Sequence, residues 1–340
     1  MQPAQILQPR PEGIYCPKAD LYIDPTRPVP RALITHGHSD HARAGHGAVL
    51  ATPETLAIMR SRYGAEFANS TQALRYGERL DINGVTFSLH SAGHVLGSAQ
   101  ALAECGGTRV VASGDYKRQS DPTCAPFEVV PCDVFISEAT FALPVFTHPT
   151  AEHEIRKLLG SVAMFPERAH VVGAYALGKA QRVMAELRRC GWDKPIYVHG
   201  ALVALTELYK AHGVELGDIR PVETAPKSFY AGAIILGTPS ALQTPWVRRF
   251  PDPVTCFASG WMRIRARARQ RGVELPIVLS DHADWPDLQR TILDTGAGEI
   301  WITHGEADAL AHWCESQGLR AKALHLVGYG DEENEPSAAA

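Results

Sequence analysis

Thr35-His36-Gly37-His38-Ser39-Asp40-His41 decides how this chain is read. The stretch sets three imidazoles and a carboxylate directly after the apolar run Ala32-Leu33-Ile34. Packing alone does not call for such a density of polar rings. Imidazole nitrogen and carboxylate oxygen are ligands that suit Zn, Fe or Mn. Four such groups so close along the chain cannot all wrap one ion, so the spacing predicts part of a two-metal site. In a turn after a strand, His36 and His38 can face one ion while Asp40 and His41 face a second, about 3.5–4 Å away.

The same arrangement recurs outward from this stretch. Leu21-Tyr22-Ile23 ends at Asp24, Val85–Leu89 ends near His94, and Arg109–Ala112 ends near Asp115. Val134-Phe135-Ile136 ends at Ser137-Glu138, Ile277-Val278-Leu279 at Ser280-Asp281-His282, and Glu299–Ile302 at Thr303-His304. These runs are strand-like by length and composition. Sheet proteins gather functional groups at strand ends in this way. Asp115 is the candidate bridging carboxylate because it has two oxygens to give. His94 then completes the first site and His304 the second. The spacing of Asp24 suits a carboxylate that accepts an imidazole N–H and fixes its tautomer. It suits an Asp-Pro turn equally well.

The texture changes after Pro149. A helix is predicted over Pro53–Arg62, capped by Thr52, and another over Thr150–Leu159. Strands at Val171–Tyr175, Ile196–Val198 and Ala233–Leu236 then alternate with helices, one of them opening at Lys179. The strand-then-histidine pattern returns afterwards. The predicted division is a first domain over 1–145, a separate α/β module over 146–275, a return to the first domain over 276–330, and a disordered tail over 331–340.

The 340-residue chain is 45% hydrophobic and 21% charged with a formal net charge of −4, so it is not a basic nucleic-acid binder as a whole. Affinity for phosphate must then be local. One candidate is Arg263-Ile264-Arg265-Ala266-Arg267-Ala268-Arg269-Gln270-Arg271, where alternation puts every arginine on one face if the segment is extended. A solvated edge or helix is the plain alternative. Trp261 just before it is placed to stack on a base or to sit in the core. A second candidate is Leu177-Gly178-Lys179, a glycine and a lysine opening a helix. Seven widely spaced cysteines without a CxxC pair point to reduced thiols and a cytoplasmic setting. No signal pattern opens the chain, and no apolar run approaches the length of a membrane span.

The run His36-Gly37-His38-Ser39-Asp40-His41, with Asp24, His94 and Asp115 in order, resembles the metallo-β-lactamase-fold hydrolases. Glu138, His282 in Ser280-Asp281-His282-Ala283-Asp284, and His304 in Ile302-Thr303-His304-Gly305-Glu306 resemble the three extra motifs of the β-CASP nucleases. The likeness runs from about residue 13 to 329. It implies an α/β fold, the αββα metallo-β-lactamase sandwich, with an inserted α/β β-CASP domain. It also implies two divalent cations, zinc or alternatively manganese or iron, held by His36, His38, Asp40, His41, His94, Asp115 and His304, with Asp24 behind them. Asp40, His282 and Glu138 are the implied catalytic residues, and Glu138 orients His282 to assist the leaving group. Lys179, Arg263, Arg265 and Arg267 are the expected nucleic-acid contacts. Arg182 stands where the β-CASP helix pattern usually has a glutamate, so roles tied to that glutamate do not carry over.

The contexts Tyr22-Ile23-Asp24-Pro25 and Asp281-His282-Ala283-Asp284-Trp285 are most similar to the bacterial ligase-associated DNA exonuclease branch. That branch implies exonucleolysis of single-stranded or end-frayed DNA in repair, with a DNA ligase and a helicase as partners and no membrane. RNA processing by the same chemistry is the alternative, since His304 also resembles the RNA-processing members. A small-molecule hydrolase fits less well, because small substrates need no such insert.

Overall fold

The computed structural model describes residues 2–324, apart from the side chain of His304. The tail expected over 331–340 therefore lies outside the described residues. The chain divides into two compact units. One comprises the chain up to Thr147 and again from His282, and the other is His148–Asp281.

The first unit holds two sheets. In one, β1 (Gln8–Arg10), β2 (Gly13–Cys16), β3 (Leu21–Ile23), β4 (Arg31–Leu33), β5 (His46–Ala51) and β6 (Ala68–Ala73) lie in sequence order. The first three are antiparallel, and β3 to β6 are parallel. The other comprises β7 (Arg79–Ile82), β8 (Val85–Ser91), β9 (Ala99–Cys105), β10 (Thr108–Ala112), β11 (Val134–Ala139), β18 (Glu299–Gly305) and β19 (Arg320–Ala323). Its antiparallel β7–β10 meander continues through parallel β10–β11–β18–β19 pairings. In β8 the alternate residues Val85, Phe87 and Leu89 are all fully buried, as a period of two requires of a strand with one face on a core.

One apolar core is shared by both sheets: Leu21, Ile23, Leu33 and Leu50 from the first meet Phe87, Leu89, Val110, Ile136 and Trp301 from the second. The opposite faces are covered by helices. Leu56 and Met59 of α1 (Pro53–Tyr63) pack on Ala32, Val49 and Ala51. Leu288 and Ile292 of α6 (Trp285–Thr295) and Leu310 and Cys314 of α7 (Ala307–Ser316) pack on Val111, Phe135 and Ile300. The central strands of each sheet are thus covered on both faces, which sends their polar strand-end residues to the rim.

The second unit is built on one all-parallel sheet of order β14-β13-β15-β12-β16-β17. Its strands are β12 (His170–Gly173), β13 (Ile196–Val198), β14 (Ile219–Pro221), β15 (Ile234–Gly237), β16 (Val254–Ala258) and β17 (Leu275–Ile277), with α2 (Ala151–Met164) ahead of them and α3 (Lys179–Arg189), α4 (Val203–Ala211) and α5 (Arg265–Gln270) between them. Its central strands β12 and β15 are buried throughout, as parallel strands covered on both faces must be. The run expected to deliver His282 belongs here. Its strand ends at Ile277 and pairs with β16, so Val278–Asp281 approach His282 as irregular chain.

His170 is fully buried at the start of β12, with Nε2 2.8 Å from the Ser161 hydroxyl. Burial, with the Arg168 charge adding to it, pushes its pKa down to about 4. The unfolded chain takes up a proton near pH 6.5, which the folded chain refuses until about pH 4. Stability is therefore lost as pH falls through that window, by up to about 3 kcal/mol. Between pH 7 and 5 the urea midpoint of the parent should fall more than that of His170→Gln. Parallel curves for the two proteins would remove His170 as the cause.

Among the described residues, no helix is long and apolar enough to cross a membrane.

Candidate metal centre

The histidine stretch forms a tight turn after β4. The His38 carbonyl accepts from the backbone N–H of both His41 and Ala42, which folds the residues back on themselves. His36, His38, Asp40 and His41 are all buried. A second loop, between β8 and β9, brings His94 over this turn, and the Ser98 hydroxyl accepts from its backbone N–H at 3.0 Å. A third, after β10, brings Asp115. Gly114 must precede it: φ is +55°, and a Cβ there would lie 2.6 Å from Thr35 Oγ1.

These side chains converge. The ring centroid of His36 lies 4.9 Å from that of His38, 4.2 Å from His41 and 4.7 Å from His94. His94 Nε2 is 3.0 Å from His38 Nδ1. One oxygen of Asp115, Oδ2, lies 3.4 Å from Nε2 of His36, 3.4 Å from Nε2 of His41 and 3.8 Å from Nε2 of His94. Asp40 Oδ2 is 3.7 Å from His41 Nε2. Asp115 thus stands between the His36–His38–His94 group and the His36–Asp40–His41 group, each of which offers ligand atoms within 4.8 Å of one another.

Asp24 backs the turn. It adopts a left-handed backbone (φ 44°) and accepts from the Thr35 backbone N–H at 2.7 Å and the Thr35 hydroxyl at 2.6 Å. Its Oδ2 is 2.8 Å from His41 Nδ1, which leaves Nε2 as the nitrogen facing Asp115. Thr35 also lies 3.1 Å from His36 Nδ1. Sequence reasoning passed over Thr35, though it sits inside the decisive stretch.

The electrostatics are divided. Burial holds His36 neutral, well below the usual imidazole range, and its charged neighbour His41 reinforces that. Burial pulls His41 down as well, but Asp115, Asp40 and Asp24 together raise it well above that range. His36 Nε2 is buried without a hydrogen-bond partner. A neutral ring with an orphaned, inward-facing nitrogen beside carboxylates is a poor packing solution and a good ligand set. The residues present fit bound divalent cations.

Beside this cluster, Glu138 at the end of β11 is fully buried. Its Oε1 accepts from the Tyr116 backbone N–H at 2.8 Å, and its Oε2 is 2.9 Å from His282 Nδ1. The Tyr116 carbonyl in turn accepts from the Ala283 N–H at 2.7 Å, and the Lys117 N–H donates to the Ala92 carbonyl at 3.0 Å. The backbone of 115–117 therefore ties together the Asp115, Glu138, His282 and His94 loops. His282 Nδ1 is 4.0 Å from Asp115 Oδ2, and Asp115, Glu138 and His282 form a third ligand-competent group. His304 lies on β18, next to β11, but its side chain is outside the described residues.

The expected nucleic-acid contacts are placed differently. Lys179 is only 2% exposed and pairs with Asp281 at 3.0 Å. Arg182 is also buried. It donates to the Ser280 carbonyl and approaches Asp281 Oδ1 at 3.5 Å. The residue that departs from the β-CASP helix pattern thus has a carboxylate of its own. The arginine run is not extended: Gly260–Arg263 is a 3₁₀ turn and Arg265–Gln270 is α5. Arg263 and Arg265 are exposed, and the arginines fan around the helix rather than lining one face. Arg267 covers the Trp261 ring at 3.8 Å, so the expected base platform already carries a guanidinium.

Fold and site together define a mixed α/β protein with a buried histidine–aspartate centre at strand ends. No family model matches the chain. A probable DNA ligase from Opitutus terrae is 28% identical over 320 residues, covering 92% of this chain and 30% of that protein. Endoribonuclease YSH1 from Eremothecium gossypii is 32% identical over 123 residues, covering 35% of this chain and 16% of that protein. A solved protein of unknown function from Enterococcus faecalis V583 superposes with a TM-score of 0.51 at 12% identity, over 80% of this chain and 74% of that one. The chain is similar to these proteins over the stretches given. It spans under a third of the length of the two named relatives.

Proposed function

We propose that this chain is a metal-dependent nuclease, and that its two units are a metallo-β-lactamase sandwich and a β-CASP insert. The observation that carries the reading is the meeting of five histidines with Asp40, Asp115 and Glu138, brought in from separate loops. His36, His38 and His94 with Asp115 would hold one cation. Asp40 and His41 with Asp115 would hold the other, with His304 added to that set. Divalent cations, zinc in this proposal with manganese or iron also suited to the ligands, supply neutralisation of the phosphodiester and a more acidic water. The chain's own residues do the rest. Asp24 fixes the His41 tautomer, Thr35 locks Asp24, and Glu138 orients His282 to give a proton to the leaving oxygen.

The proposed substrate is single-stranded or end-frayed DNA, cut exonucleolytically in repair. A relative named a probable DNA ligase aligns over 92% of the chain, which favours this and favours a ligase as partner; a helicase partner is proposed on the resemblance alone. RNA cleavage is the second reading, favoured by the likeness to an endoribonuclease. The buried, unlinked thiols of Cys256 and Cys314 accord with a cytoplasmic setting.

The deciding experiment digests end-labelled DNA and RNA strands of one sequence, with and without chelator. A chelator-sensitive ladder of single-nucleotide products from DNA is expected. A ladder from RNA alone would move the chain to the second reading. Intact strands under every metal tested would overturn the nuclease proposal.

A further inference from the structure

Helix α1 touches both histidine loops, one at each end. At its start, Thr52 caps the helix by accepting from the Thr55 N–H. The buried Thr52 and Thr55 hydroxyls both donate to the Gly97 carbonyl, at 2.7 and 3.1 Å. Gly97 belongs to the loop that carries His94. With φ +76°, it sits so close that a Cβ would lie 2.6 Å from Glu54 Cβ and 2.8 Å from Thr55 N. At the other end, Arg62 donates to the Gly37 carbonyl at 2.7 Å, between His36 and His38. The Tyr63 hydroxyl donates to the Ala42 carbonyl at 2.7 Å, directly after His41. Four hydrogen bonds from one helix of 11 residues, a rod about 16 Å long, thus grip the backbone of the two loops that present His36, His38, His41 and His94.

We infer that α1 is a bracket that sets the spacing of the two ligand loops, with Arg62 and Tyr63 as positioning residues for metal binding. The inference rests on the metal-centre reading. Its logic is preorganisation: ligands held in place before an ion arrives lose less freedom on binding, and outer-shell contacts are typically worth 10–100-fold in metal affinity. Arg62 is exposed, so its removal leaves no cavity in the core.

The test is competition of the full chain with a chromophoric chelator for zinc, together with the visible absorption spectrum of the cobalt-loaded protein. Arg62→Met should bind zinc about tenfold more weakly and alter the cobalt spectrum, and Arg62→Lys should recover part of the loss. Arg60→Met removes a cation from the same last turn and should match the parent. Tyr63→Phe deletes only the hydroxyl on Ala42 and should weaken zinc in the same direction, which keeps the test open if Arg62→Met folds poorly. Parent-like zinc affinity and cobalt spectrum in Arg62→Met and Tyr63→Phe would overturn the bracket while leaving the metal centre standing. A parent that holds neither ion would instead overturn the metal-centre reading, and the bracket with it.

Discussion

Asp115→Ala is expected to strip the chain of bound metal and to abolish turnover. Three imidazole nitrogens from two loops, those of His36, His41 and His94, all lie 3.4–3.8 Å from a single Asp115 oxygen. Its removal leaves both candidate ion sites short of a ligand at once, along with the negative charge that balances the cations. The loss in rate should be on the order of 10³-fold or more, the scale of several kcal/mol of charge stabilisation. Asp115→Asn keeps an oxygen in place without the charge and should fall between parent and Asp115→Ala. Elemental analysis of purified protein reads the outcome directly. Parent-level zinc in Asp115→Ala would remove Asp115 from the ligand set.

That Asp115 could be singled out from sequence has a physical reason. Its strand, Thr108–Ala112, is a short run buried over its last three residues and followed by Ser113-Gly114. The chain must leave the sheet there and turn, so the next polar residue falls at the rim. The same reasoning holds for Asp24, His36 and His94. Sequence could not say which rims meet, nor that Thr35 would join Asp24 to His36. Lys179 shows the limit from the other side. A glycine and lysine opening a helix read as a phosphate cradle, but the partner that buries the lysine, Asp281, lies about a hundred residues downstream, where no local pattern can reveal it. Of the two readings open for the arginine run, extended or helical, the helical one is found, for a different reason. Alternation at period two suits a strand, but the alternating residues here are alanine and arginine, which favour helix, and burial of Ala268 fixes the helical face. The run ahead of His282 pairs with β16 in the second unit, which sequence could not foresee because an apolar triplet carries no label for its neighbour.

His282→Ala separates the chemical role from the metal-binding one. Among the contacts described, His282 is held by Glu138, which is buried and itself fixed by the Tyr116 N–H, so the imidazole Nδ1 is engaged and the ring's orientation set. Nε2 is then the nitrogen through which a proton can reach a leaving oxygen. General acid help of this kind is worth about 10²–10⁴-fold, and the variant should lose that much turnover while keeping parent metal content. The third ligand-competent group, Asp115 with Glu138 and His282, makes the metal measurement decisive. If His282→Ala loses metal in proportion to activity, His282 is a ligand and the proton must come from elsewhere. If it keeps both metal and rate, the Glu138–His282 pair is structural. Only lost turnover with retained metal assigns the pair to the leaving group. Glu138→Gln should then reproduce a smaller part of that loss, because it weakens the contact that orients the ring while leaving the histidine in place.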